Sequence, residues 1–351
     1  MPDKPRSEPL LTVERLDVTY RSEGGRLLAL DDVNFSAESG EIIGIVGESG
    51  CGKSTLSAAL MGLLAANGEV TRGHATLRGR DLVSLPPAAM RKIRGREISM
   101  VFQDPLTSLN PTFTIGTQML DVLKAHTPGR FDKAVARQRC IEMLERVGIP
   151  DVASRLASYQ HEFSGGQRQR VMIAIALLLE PSLLIADEIT SALDVTLESQ
   201  IIQLLLDLRA ERGTTILFIA HDLGVVAQLC DRVIVMYAGR AIEEAPVDEL
   251  FAYPRHPYTR ALIGAVPSRV RRGTDLVSIP GRVPALAHLV HGCSYADRCE
   301  FAQPVCSACP VEIRRGRTQV RCHGYDPSSG YDNPWPFDPA ANLTVTGHGD
   351  R

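Results

Sequence analysis

The chain has 351 residues, 38 Lys and Arg against 41 Asp and Glu, a net charge of −3 and 44% apolar residues. This length suits one large α/β domain with a smaller appendage, and the balanced charge argues against a nucleic-acid partner. The longest apolar run, Val171 to Leu179, is half a membrane span, and MPDKPRSEPL has no signal-peptide core, so the expectation is a cytoplasmic protein able to dock on a membrane partner.

Leu11 to Tyr20 alternates apolar and polar residues as a half-buried strand does, Ser22 to Gly25 forms a turn, and Leu28 to Phe35 resumes the strand. Glu41 to Val46 is a short apolar strand that feeds GESGCGKST, Gly47 to Thr55, and a helix is expected from Lys53 to about Leu64. The pattern GxxxxGK[ST] arises by chance in about one chain of this length in a hundred. Its setting between strand and helix argues against a mere glycine-rich turn. Gly47, Gly50 and Gly52 leave room for backbone amides to meet phosphate oxygens, with Glu48, Ser49, Cys51 and Thr55 completing the loop. Lys53 can reach the β- and γ-phosphates, and the Ser54 hydroxyl can reach magnesium.

Gln103 follows the strand Ile98 to Phe102, where it can reach magnesium or the attacking water. Pro111 to Leu156 turns helical, with Ile141, Leu144 and Val147 on one face and Gly148 and Pro150 as the stop. In FSGGQ, Phe163 to Gln167, Ser164 caps the next helix and Gln167 completes a capping box. Ser164, Gly165 and Gly166 therefore open a second anion site. One nucleotide does not need two, and a natural solution is a pair of subunits facing head to tail. The strand Leu183 to Ala186 ends in Asp187, suited to magnesium, and Glu188, suited to orienting or deprotonating water. Glu198 to Arg212 is an amphipathic helix, Thr215 to Ala220 a strand ending before His221, and Arg232 to Tyr237 another strand. His221 can bond a γ-phosphate, although a lone histidine is more often structural. Strands alternating with helices imply a largely parallel sheet covered on both faces. A phosphate loop, SGGQ and a strand ending in Asp-Glu, in that order, imply an ATP-hydrolysing cassette.

After about Pro254 the texture changes to HPYT at His256 to Thr259, PGRVP at Pro280 to Pro284, and five crowded cysteines. In a reducing cytosol such crowding suggests metal rather than disulfides. Four thiolates drawn from Cys293, Cys299, Cys306, Cys309 and Cys322 suit an iron–sulfur cluster or tetrahedral zinc equally, and the CxxC of Cys306 and Cys309 keeps a zinc set of Cys293, Cys299, Cys306 and Cys309 open. Beyond Tyr325, Pro, Gly, Asn and Asp dominate and a disordered tail is expected.

Over residues 10 to about 255 these motifs resemble the ATP-binding subunits of ABC transporters. The resemblance implies an α/β ABC-type P-loop domain with a mixed, mainly parallel core sheet, an antiparallel β subdomain and a helical signature subdomain at about 111–175. It makes Gly47 to Ser54 the Walker A loop, Gln103 the Q-loop glutamine, Phe163 to Gln167 the signature, and Asp187 and Glu188 the Walker B pair. It makes Ser191 to Asp194 the D-loop, His221 the switch histidine and Tyr20 the adenine-stacking aromatic. Phe163 replaces the commoner leucine, an apolar exchange. ATP and Mg2+, held by Ser54, Gln103 and Asp187, are the implied cofactors.

HPYT, IPG and the cysteines resemble the dipeptide, oligopeptide and nickel branch of bacterial importers. That implies a small Cys-rich C-terminal module over 256–325, after a flexible 1–9 and the cassette at 10–255 and before a tail at 326–351. It also implies a [4Fe-4S] cluster on Cys293, Cys299, Cys306 and Cys322. The implied partners are two membrane permeases, a second homologous ATPase in a heterodimer rather than a homodimer, and an extracytoplasmic binding protein. The place is the cytoplasmic side of the membrane, and the cargo is di- or oligopeptide, with nickel or another small solute as alternatives. A soluble, non-transport ABC ATPase is the rival, disfavoured by the single cassette and the short interval between Gln103 and Ser164.

Overall fold

The computed structural model describes residues 8–104, 108–190, 195–265, 279–284, 292–332 and 344–345. Strands β1 (Leu11–Ser22) and β2 (Gly25–Ala37) form a long hairpin, followed by β3 (Ile42–Val46) and helix α1 (Lys53–Met61). α1 stops at Met61, short of the expected Leu64, because Gly62 takes a left-handed conformation and returns its N–H to the Ala58 and Ala59 carbonyls. Next come β4 (Gly68–Leu77), β5 (Arg80–Asp81), α2 (Pro87–Ile93) and β6 (Ile98–Val101).

A helical stretch follows: α3 (Ile115–His126), α4 (Lys133–Arg146), the single turn α5 (Val152–Arg155) and α6 (Gly165–Leu177). Thr114, Asp132 and Ser164 cap α3, α4 and α6 through their side-chain oxygens. Their buried residues, among them Met119, Cys140, Leu144 and Val171, join one continuous core. The chain then alternates β7 (Leu183–Asp187), α7 (Val195–Arg212), β8 (Thr215–Ile219), α8 (Leu223–Leu229) and β9 (Arg232–Tyr237). It continues through β10 (Arg240–Pro246), α9 (Val247–Ala252), α10 (Pro257–Gly264), β11 (Glu312–Arg315), β12 (Thr318–Arg321) and β13 (Thr344–Val345).

Two sheets result. The smaller, ordered β2-β1-β4-β5, is antiparallel in every pairing. The larger, ordered β13-β11-β12-β10-β9-β3-β8-β7-β6, is parallel from β9 to β6 and antiparallel beyond β9. Its central strands are apolar almost throughout because both faces are covered. Along β3, Ile42 and Val46 face the core shared with the helices, while Ile43 and Ile45 face the core under the smaller sheet. The same division separates Leu184 and Ala186 from Leu183 and Ile185 on β7.

The residues after 255 continue the larger sheet. β12 pairs with β10 through Glu243↔Val320 and Glu244↔Gln319, and β11 pairs with β12. Part of the expected tail is packed: the Tyr331 hydroxyl donates to the Phe301 carbonyl at 2.6 Å, and Thr344–Val345 pairs with β11. Residues 1–7, the D-loop stretch Ser191 to Asp194, and 333–343 lie outside the described residues. Among the described residues, no helix is long and apolar enough to cross a membrane.

Candidate active site

The carboxyl ends of the parallel strands all point one way, and ligands of such sheets bind outside those ends. β3 delivers Gly47, β6 delivers Gln103, β7 delivers Asp187 and Glu188, and β8 delivers His221. A cavity of about 320 Å³ opens there, lined in part by Gly47, Glu48, Ser49, Lys53, Glu188 and His221. Gly47 must be glycine: φ is +151°, and an added Cβ would lie 2.2 Å from the Met236 carbonyl oxygen.

Lys53 opens α1, is buried, and donates from Nζ to the Gly47 carbonyl at 2.7 Å and the Glu48 carbonyl at 3.3 Å. Its charge is thus held at the cavity by loop backbone. Ser49, Gly50 and Ser54 are exposed, Thr55 is half-buried, and the Cys51 side chain turns inward, where burial pushes its thiol pKa up.

Asp187 is buried at the end of β7, and its pKa is raised to about 6 by burial and by the neighbouring Glu188 charge, against the pull of Lys53. Glu188 sits at φ +49°, a left-handed conformation that costs a non-glycine residue of the order of 1 kcal/mol. Its N–H is anchored on the Ile219 carbonyl at 2.9 Å. Gln103 Nε2 donates to Glu188 Oε2 at 2.5 Å, and His221 Nδ1 lies 3.7 Å from Glu188 Oε1. Three residues separated widely in sequence therefore meet at one carboxylate beside the phosphate loop. The geometry suits holding a water against a phosphate.

Ser164 is exposed at the start of α6, where its Oγ accepts the Gln167 N–H at 3.3 Å and Gln167 Oε1 accepts the Ser164 N–H at 3.1 Å. The expected capping box is present. None of Ser164, Gly165, Gly166 or Gln167 lines the phosphate cavity. Tyr20 lies on β1, half-buried against the core under the smaller sheet, and does not line it either. Asp194 lies outside the described residues.

Cys293, Cys299, Cys306 and Cys322 line a second, small cavity with His323 and Tyr331. Burial pushes the Cys299 and Cys322 thiols up to about 11 and about 12. Cys309 is exposed and does not line that cavity; its sulfur accepts from both terminal nitrogens of Arg240 at 3.6 Å. Among the described residues, no three or more Cys, His, Asp or Glu side chains gather closely enough for one metal ion.

Sequence reasoning missed a set of contacts from the C-terminal region to the phosphate loop. The Tyr258 hydroxyl accepts the Glu48 N–H at 2.8 Å, and Arg298 forks onto the Glu48 carboxylate at 2.7 and 3.1 Å. The HPYT segment builds the first contact. His256 is buried and kept neutral, its pKa pulled down to about 3 by burial, and its Nδ1 accepts the Tyr258 N–H at 3.0 Å to cap α10. Glu243, whose pKa burial lifts to about 7, holds the segment by accepting the Arg255 and His256 N–H groups at 2.8 Å each. HPYT was visible as a motif, but nothing around Arg298 marked it.

Residues 30–191 match the ABC transporter family, and residues 242–306 match the family described as oligopeptide/dipeptide transporter, C-terminal region. The chain is 50% identical over 313 residues to the oligopeptide transport ATP-binding protein OppD of Haemophilus influenzae, covering 89% of this chain and 96% of that protein. It is 48% identical over 317 residues to the OppD of Escherichia coli, covering 90% and 93%. Among solved structures it is similar to a dimeric ATP-binding cassette in a post-hydrolysis state with ADP and Pi, at a TM-score of 0.62 and 29% identity, over 68% of this chain and 98% of that one. Identity this high over nearly the whole length settles the family: the chain belongs to the ABC transporters, as an ATP-binding and ATP-hydrolysing subunit.

Proposed function

We propose that the chain powers import of di- or oligopeptides from the cytoplasmic side of the membrane, together with two permeases, a homologous ATPase and an extracytoplasmic binding protein. The observation that carries the cargo is the likeness over nearly the full length, C-terminal region included, to proteins named for oligopeptide transport. ATP draws two subunits together head to tail. Lys53 and the loop amides take the phosphates, Ser54, Asp187 and Gln103 the magnesium, and Glu188 the water, with His221 at the γ-phosphate. Tyr20 stacks on the base, and Asp194 lies at the subunit contact. The partner's counterparts of Ser164 to Gln167 complete each site. Support for the pairing is twofold: the signature helix start stays exposed and away from the phosphate cavity, and a similar cassette is dimeric. A heterodimer follows from the branch of the family the chain resembles. In this reading the cassette is 10–255, its helical part about 111–175, and the C-terminal region 256–325.

The test is reconstitution in liposomes with permeases and partner ATPase. Peptide-loaded binding protein is expected to stimulate ATP hydrolysis several-fold. Stimulation by nickel alone would overturn the peptide assignment.

The Cys-rich region, we propose further, carries a [4Fe-4S] cluster on Cys293, Cys299, Cys306 and Cys322. Support comes from their sharing one cavity from which Cys309 is turned away toward Arg240. A single tetrahedral zinc, with bonds of ~2.3 Å to sulfur, draws its thiolates within about 4 Å of one another. A cluster gives each thiolate its own iron and spreads them wider. When bound, the group would cross-link a loop-rich segment that has only a small core of its own around Ile313, Val320 and Tyr325. Anaerobic purification is expected to yield about four irons and four sulfides per chain; one zinc without iron would move the ligand set to Cys309.

A further inference from the structure

We infer that Arg298 and Tyr258 are positioning residues for ATP binding, acting on the phosphate loop through Glu48. Glu48 is the second residue of the loop and lines the phosphate cavity. Its three polar groups are all engaged: the N–H donates to the Tyr258 hydroxyl at 2.8 Å, the carbonyl accepts from Lys53 Nζ at 3.3 Å, and the carboxylate takes both terminal nitrogens of Arg298 at 2.7 and 3.1 Å. One residue thus joins the phosphate-binding lysine to the C-terminal region.

Arg298 is itself held. Its side chain is only 4% exposed, Nε donates to the Pro280 carbonyl at 2.7 Å, and Nη1 donates to the Tyr237 hydroxyl at 3.2 Å. Its guanidinium lies over the Tyr237 and Tyr295 rings, 5.7 and 5.9 Å from their centroids. The planar fork matches a carboxylate as a lysine cannot. Tyr258 is fully buried, its ring 4.7 Å from that of Tyr237. Tyr237 follows Met236, whose carbonyl abuts Gly47. The loop is therefore clamped at its first two residues by groups that have no freedom to retreat.

Two effects on nucleotide follow. A carboxylate in the wall of a triphosphate cavity repels the ligand, and Arg298 cancels that charge in place. A loop already fixed in one shape loses less conformational freedom when ATP arrives. Both effects act on binding rather than on the water attack at Glu188. The C-terminal region thereby becomes part of the ATP site without touching ATP.

The test measures Kd for MgATP and kcat at saturating ATP on the full-length protein. Arg298→Gln is expected to raise Kd about tenfold or more while kcat changes less than threefold, because it leaves the Glu48 charge uncancelled. Adding Glu48→Gln is expected to recover most of the lost affinity, since the repulsive charge is gone. Tyr258→Phe, which removes only the acceptor of the Glu48 N–H, is expected to raise Kd two- to fivefold. An Arg298→Gln protein that binds MgATP within twofold of the parent would overturn the proposal. So would a double variant no tighter than the single one, which is the outcome of a purely structural role. Should Arg298→Gln not fold, Arg298→Lys keeps charge but loses the fork. It is expected to raise Kd about threefold, and an unchanged Kd overturns the inference.

Discussion

Exchanging Glu188 for Gln is expected to lower kcat for ATP hydrolysis by about 10²–10⁴-fold, with the Kd for MgATP changed by no more than a few-fold. That range is what a positioned general base contributes. The carboxylate stands at the mouth of the phosphate cavity with Gln103 on one oxygen, at 2.5 Å, and His221 near the other, at 3.7 Å. Its left-handed backbone and the 2.9 Å bond from its N–H to Ile219 aim the side chain off the end of the sheet. Glutamine keeps the shape and the bond to Gln103, with an amide flip, but cannot take a proton from water. Lys53 and the loop amides, to which the proposal assigns nucleotide binding, are left alone by the change. Phosphate release and equilibrium nucleotide binding, measured on the same preparation, separate the two; parental turnover in the variant would refute the water-activating role.

A second exchange one residue earlier should do something opposite to stability. Asp187→Asn is expected to abolish magnesium-dependent hydrolysis and yet make the nucleotide-free protein more heat-stable at pH 7. The carboxyl is buried, and its pKa stands at about 6 instead of 3.8. A group that binds its proton more tightly when folded makes the folded state gain stability as pH falls from about 6 toward 4. Above about pH 6 the full penalty applies, ~3 kcal/mol from that difference in pKa. Asparagine is uncharged at every pH and escapes it, so the melting temperature at pH 7 should rise by a few degrees. The gain should shrink as pH is lowered toward 4, where aspartate in both states is becoming neutral. A lower melting temperature for the variant at pH 7 would mean that the charge is welcome in the folded chain. Saturating MgATP should reverse the order of the two proteins, because the metal compensates the aspartate charge.

What the sequence made legible is what its local spacing controls. The strand, loop and helix around Lys53 are contiguous, and so is the capping box of Ser164 and Gln167, so both could be read directly. Asp187 and Glu188 stood out as candidates because two acids closing an apolar strand, in a chain that already holds a phosphate loop, are suited to be the metal ligand and the base that the loop lacks. Gln103 and His221 drew their weight only from motif order, and the fold then brought both to Glu188. The contact of Arg298 with Glu48 was not legible. It joins residues separated by 250 positions, and an arginine between two cysteines looks like any solvated charge until the fold buries it. The cysteines were ambiguous for a related reason, since CxxC spacing says that two sulfurs are near each other but not which way they face. Cys309 faces Arg240. Composition set off a small loop-rich module after about Pro254 but gave no sign of what it packs on; backbone pairing ties its β12 to β10.

That pairing covers the β10 edge of the larger sheet. Solved cassettes such as the dimeric relative cover about two-thirds of this chain and do without the remainder. Here β12 occupies the flank of β10, which would otherwise offer a row of unpaired backbone groups to any passing strand. The Glu243 carboxyl on β10 also depends on N–H groups from residues 255 and 256. Cutting the chain after β10 would therefore strip two things at once, the strand that covers this edge and the N–H partners of a buried carboxyl.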